Sequence, residues 1–152
     1  MDFRKIVLLR KKQDLSQRKM ASILKVSKST YARWETGEEI IPLKHFINLC
    51  NYFGVTMDYV LNLKEENNFF KFDYTRKIDK EVIGKNLKHI RQNNELTQRD
   101  LAKIFNTSQS TISAYESGKT LLLTIFAYQI AKCFKISLDS FCGLEKTKIE
   151  IK

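Results

Sequence analysis

The chain has 152 residues, 43% of them hydrophobic, with one proline and five glycines; that composition suits a folded core and excludes a disordered, collagen-like or loop-rich chain. No apolar run approaches the roughly 20 residues of a membrane span, and no continuous hydrophobic region follows the charged start Met1–Lys5, so neither a spanning helix nor a signal peptide is expected. Lysine and arginine number 27 against 17 aspartate and glutamate, and a surplus of +10 points to nucleic acid, an anionic surface or an acidic protein as partner.

In chain order, Asp2 can cap a first helix whose apolar positions Phe3, Ile6 and Leu9 fall at helical spacing. Ser16 caps a second helix carrying Met20, Ala21, Ile23 and Leu24, and Ser27 caps a third that stops at Gly37. Pro42 opens a fourth helix through Phe53, and Thr56 caps a last short one to about Leu63. A linker follows that is rich in aromatic residues: Phe69, Phe70, Phe72 and Tyr74. After it the helical pattern returns, with Thr97, Ser108 and Ser137 as caps and Gly118 as stop.

The return is a repeat. Residues 15–37 read LSQRKMASILKVSKSTYARWETG and residues 96–118 read LTQRDLAKIFNTSQSTISAYESG. The offset of 81 holds without a gap from Phe3/Gly84 to Leu63/Leu144, so one small fold is used twice. Charge divides the same way: 1–63 and 83–152 each carry 11 basic and 6 acidic side chains, while 64–82 are balanced. The positive surplus belongs to the repeats and not to a tail.

Ser16–Gly37 and Thr97–Gly118 each describe a helix, a short turn and a second helix, the arrangement that places the second helix in the major groove of DNA. At 100° per residue, Lys28, Ser29, Ala32, Arg33 and Thr36 share one face, with Tyr31 and Trp34 opposite and Thr30 near the boundary. The second copy turns Gln109, Ser110, Ser113, Ala114 and Ser117 outward and Ile112 and Tyr115 inward. Short polar groups mixed with donors let a helix approach base edges closely.

These segments and their flanking helices resemble the Cro/repressor family of helix-turn-helix proteins, also called the XRE family. The shared signature is L-[ST]-Q-R-x-[ML]-A, then S-x-S-T, an aromatic residue, Glu, x and Gly, found twice. The resemblance implies an all-α chain of two tandem lambda-repressor-like five-helix domains, 1–64 and 79–145, with a linker at 65–78 and a tail at 146–152. It implies a sequence-specific regulator of a double-stranded DNA operator, in the first instance a repressor or autorepressor. Gln17 and Gln98 would bond phosphate through side chain or helix-terminal amide. Lys28, Ser29 and Arg33 would face base edges in the first copy, and Gln109, Ser110 and Ser113 in the second. Thr30 and Thr111 would reach phosphate, as would Lys119; the first copy's loop has the acidic Glu38 and Glu39 where the second has Lys119 and Thr120. Arg10/Glu35 and Arg91/Glu116 would be internal ion pairs between first and third helices. The family usually places glycine in the turn where this chain has Lys25 and Asn106, and a left-handed Lys there should cost on the order of 1 kcal/mol.

Phe70, Phe72 and Tyr74 alternate as in a strand, as do Ile149 and Ile151. Two expectations stand for them: paired strands or arms that orient the repeats, or an aromatic linker packed on neighbouring helices. Cys50, Cys133 and Cys142 lie among apolar neighbours and read as buried, reduced thiols. His45 and His89 have no second ligand at metal spacing, so no metal or cofactor is expected. No paired carboxylates, Ser/His/Asp set or phosphate-cradling glycine loop suggests an enzyme. A cytoplasmic, nucleoid-associated protein without a membrane partner is expected. A homodimer is compatible with this reading. The rival reading keeps one repeat on DNA and gives the other to a protein partner, as in an antitoxin or a phage-encoded inhibitor of host defence.

Overall fold

The computed structural model describes residues 1–64 and 77–144, which fall into two compact units. The first contains α1 (Arg4–Lys12), α2 (Gln17–Leu24), α3 (Lys28–Thr36), α4 (Leu43–Phe53) and α5 (Met57–Val60). The second contains α6 (Lys80–Asn93), α7 (Gln98–Ile104), α8 (Gln109–Glu116), α9 (Thr124–Phe134) and α10 (Leu138–Phe141). Every element among the described residues is helical. Phe70–Tyr74, Ile149–Ile151, most of the linker and the tail lie outside the described residues.

Helix starts follow side-chain chemistry. The hydroxyls of Ser16, Ser27 and Thr56 each accept the backbone N–H three residues on, and Ser108 and Ser137 do the same in the second unit. Thr97 and Asp100 satisfy each other's backbone donors in a reciprocal capping box. Each such cap contributes about 1 kcal/mol. Asp2 acts one residue earlier than expected: α1 begins after Phe3, yet the Asp2 carboxylate accepts the Arg4 amide at 2.9 Å and pairs with its guanidinium at 2.7 Å.

Two other boundaries differ from expectation. α5 ends at Val60 and not near Leu63, because Asn62 turns left-handed (φ 56°) and Leu63 bonds back to the Asp58 carbonyl at 2.8 Å. Gly118, at φ 70°, stands two positions beyond the end of α8, whereas Gly37, at φ 77°, directly caps α3.

The cores correspond position by position. Ile6, Met20, Trp34, Ile41, Leu49 and Met57 are buried in the first unit, and Leu87, Leu101, Tyr115, Leu122, Ile130 and Leu138 are buried at the matching places in the second. Each such side chain contributes about 1.5–3 kcal/mol by leaving water. The aromatic pair that joins the start of the first unit to α4 has no counterpart in the second. Phe3 packs edge-on against Phe46 with ring centroids 5.3 Å apart, and the equivalent residues are Gly84 and Ala127. Removing that bulk lets α6 close onto α8: a Cβ on Gly84 would lie 2.7 Å from the Glu116 carbonyl oxygen. Cys50 and Cys142 are buried as expected, but Cys133 is exposed. The apolar stripe of α9 runs through Ala127, Ile130 and Ala131, and at 100° per residue Cys133 falls off it.

Candidate nucleic-acid interface

In each unit a buried carboxylate fixes the helix that carries the polar face. Arg10 donates to Glu35 through Nε at 2.5 Å and Nη2 at 2.9 Å, while Nη1 donates to the Leu15 carbonyl at 2.7 Å. The Gln17 amide donates to the same carboxylate at 2.8 Å. Arg91, Glu116, Leu96 and Gln98 repeat the cluster, with the Gln98 contact at 2.9 Å. The carboxylate thus ties the first helix, the start of the second and the third together, and the arginine it holds also anchors the following loop. Burial works to raise the Glu35 carboxyl, but the hydrogen bonds from Arg10 and Gln17 outweigh it and hold it below the usual carboxylate range. The bond to Glu35 likewise pushes the Arg10 guanidinium up.

The aromatic undersides are seated as the angular reading requires. Tyr31 is 0% exposed and Trp34 3%, and Ile112 and Tyr115 are buried in the second unit. Burial, reinforced by the Glu35 carboxylate, pushes the Tyr31 hydroxyl up. His45 is half-buried, its ring 5.2 Å from that of Trp34.

On the opposite face Lys28, Ser29 and Arg33 are exposed, as are Gln109, Ser110 and Ser113. Thr30 and Thr111 are half-buried at the boundary, their hydroxyls 2.8 Å from those of Ser27 and Ser108. Ser29 and Ser110 join the same hydroxyl clusters at 3.0 and 2.9 Å. Lys119 is exposed in the loop after α8. Gln17 and Gln98 are half-buried at the starts of α2 and α7, one amide donor each already spent on a carboxylate. The turn residues adopt the left-handed conformation expected of that position, Lys25 at φ 57° and Asn106 at φ 51°.

Two sets of contacts beside the polar faces do not follow from the sequence. Arg99 on α7 reaches the Gln109 carbonyl at 3.4 Å, and the Gln109 amide in turn reaches Gln98 at 3.4 Å. Glu39 pairs with Arg33 at 3.1 Å. Neither contact follows helical periodicity, since each joins residues of different elements. Among the described residues, no group of three or more His, Cys, Asp or Glu gathers as a metal site, and no helix is long and apolar enough to cross a membrane.

A capped helix, a tight left-handed turn and a second helix with a polar outer face and an aromatic base define a helix-turn-helix DNA-binding unit, present twice. A helix-turn-helix family model matches residues 6–60 and again 87–141. The chain belongs to this Cro/repressor, or XRE-type, helix-turn-helix family. It is also 34% identical over 65 residues to the antitoxin PezA of Streptococcus pneumoniae serotype 4 (strain ATCC BAA-334 / TIGR4), a match covering 43% of this chain and 41% of that protein. The chain therefore spans about two-fifths of the length of that relative. No solved structure matches the chain significantly.

Proposed function

We propose that the chain is a transcriptional repressor, its own promoter among its targets, which seats α3 and α8 in the major grooves of one double-stranded operator. The observation that carries this reading is that both exposed polar faces stand on a helix locked by the same buried Arg–Glu–Gln cluster. Lys28 and Arg33 suit guanine O6/N7, and Gln109 suits adenine N6/N7. Ser29, Ser110 and Ser113 add short donors, while Thr30, Thr111 and Lys119 serve phosphate. For Gln17 and Gln98, the committed side-chain donor favours the backbone amides of the first helical turn as the phosphate contact.

The faces differ, so unequal half-sites are expected, about one helical turn or roughly 34 Å apart. A homodimer would lengthen the operator. Selection of the full chain against random duplexes, followed by footprinting and a salt titration, tests the reading. An asymmetric consensus bound with steep salt dependence is expected. Equal affinity for competitor DNA, or indifference to salt, would overturn it in favour of general coating or no DNA role.

The likeness to an antitoxin favours a second reading, in which one unit holds DNA and the other a protein partner. The first unit is then the better candidate for the protein, because its loop after α3 carries Glu38 and Glu39 where the second carries Lys119 and Thr120. Variants in either α3 or α8 separate the two: loss of footprint from α8 changes alone, with a co-purifying protein lost from α3 changes, would support it.

A further inference from the structure

We propose that Glu39 is a positioning residue for Arg33, holding the guanidinium at the edge of a guanine in the half-site of the first unit; this rests on the reading that α3 lies in the major groove. An acidic side chain beside a DNA-facing helix would ordinarily be counted as repulsion. Its attachment argues otherwise. The Glu39 amide donates to the Arg33 carbonyl at 3.2 Å, and its carboxylate forms an ion pair with the Arg33 guanidinium, 3.1 Å from Nε. Residue 39 is therefore joined to residue 33 by a main-chain hydrogen bond and a side-chain ion pair.

The second unit supplies a comparison. The Thr120 amide donates to the Ala114 carbonyl at 3.3 Å, so the loop places the equivalent residues together there too. Only the first unit fills that fixed juxtaposition with complementary charges. Both side chains remain nearly half exposed, 47% and 44%, and an exposed pair adds next to nothing to fold stability. What it does is restrict the rotamers of a long side chain, a restriction that matters when the chain must meet a base edge. Holding the guanidinium through Nε leaves the terminal nitrogens as the two-pronged donor that matches guanine O6 and N7.

The consequence is a shift of the reading point. Gln109, braced by Gln98 and Arg99, acts from the start of α8, and its counterpart by the repeat is Lys28. Arg33 lies five residues further along its helix, roughly 7.5 Å by the helical rise, or about two base-pair steps. The two half-sites should differ in where the discriminated base pair falls, as well as in its identity.

The test uses the full chain with Arg33→Ala, Glu39→Ala, Glu39→Gln and the Arg33→Ala/Glu39→Ala double variant. Each is titrated on the selected operator and on operators changed at single base pairs of the first half-site, at several salt concentrations. Arg33→Ala is expected to lower discrimination at one or two base pairs about tenfold. Both Glu39 variants should lower discrimination at those same base pairs and at no others, and the double variant should equal Arg33→Ala, as coupled partners do. If Glu39→Ala instead tightens binding to every duplex alike with base preference intact, Glu39 only repels phosphate and the proposal is wrong. Base preference unchanged in the Glu39 variants but lost in Arg33→Ala also overturns it, leaving the α3 reading in place. Preference unchanged in Arg33→Ala overturns it too, and preference unchanged in Lys28→Ala as well would show that the α3 reading itself has failed.

Discussion

Gly84 of α6 lies directly against the end of α8, where an added Cβ would stand 2.7 Å from the backbone oxygen of Glu116 and would also strike that of Tyr115. Backbone cannot yield as a flexible side chain can. Gly84→Ala should therefore destabilise the second unit by about 1–3 kcal/mol despite the better helix propensity of alanine. Urea unfolding followed by circular dichroism checks this. The single tryptophan, Trp34, reports the first unit and should keep its transition.

Arg10 and Glu35 are both nearly inaccessible, their side chains 10% and 6% exposed. Arg10→Met would strand the carboxylate and should cost about 3–5 kcal/mol, while Arg10→Met with Glu35→Leu should recover much of that. The Glu35 carboxyl titrates below its ordinary value of 4.5 in the folded chain. Its contribution is thus present above that value and is lost as pH falls through the lowered folded value. Glu35→Gln should flatten this acid limb of the stability curve, measured by the melting temperature across pH.

Lys25 pays for a left-handed backbone without the freedom of glycine. Lys25→Gly should raise the stability of the first unit by up to about 1 kcal/mol. Asn106→Gly should gain less, since asparagine tolerates that conformation. Thermal melts of the two variants give the comparison.

Lys119 and Gln109 should separate affinity from selectivity. Lys119→Ala is expected to weaken binding on all duplexes alike and lower the salt slope by about 1, whereas Gln109→Ala should cost about 1–3 kcal/mol on the best site and relax preference there. Titrations on matched and mismatched duplexes at several salt concentrations distinguish them. A selective loss from Lys119→Ala would place it at a base.

Cys133 should react with a soluble thiol reagent in the native chain while Cys50 and Cys142 resist, because only Cys133 is exposed. Mass spectrometry should find one modified cysteine before unfolding and three after it.

Much of this was legible in the residues alone. The repeat at an offset of 81, the capping hydroxyls and the inward Tyr31, Trp34, Ile112 and Tyr115 follow from local rules, since periodicity sets which side of a helix is dry; the Arg–Glu pairs were implied by the family resemblance. Tertiary structure decided what depends on which neighbour covers a surface. It ended α5 at Val60 through the left-handed Asn62. It also committed Gln17 to Glu35, paired Arg33 with Glu39 and set Gly84 against the backbone at the end of α8. Each of these joins positions on different elements or turns on a single backbone angle, and linear spacing carries no measure of either.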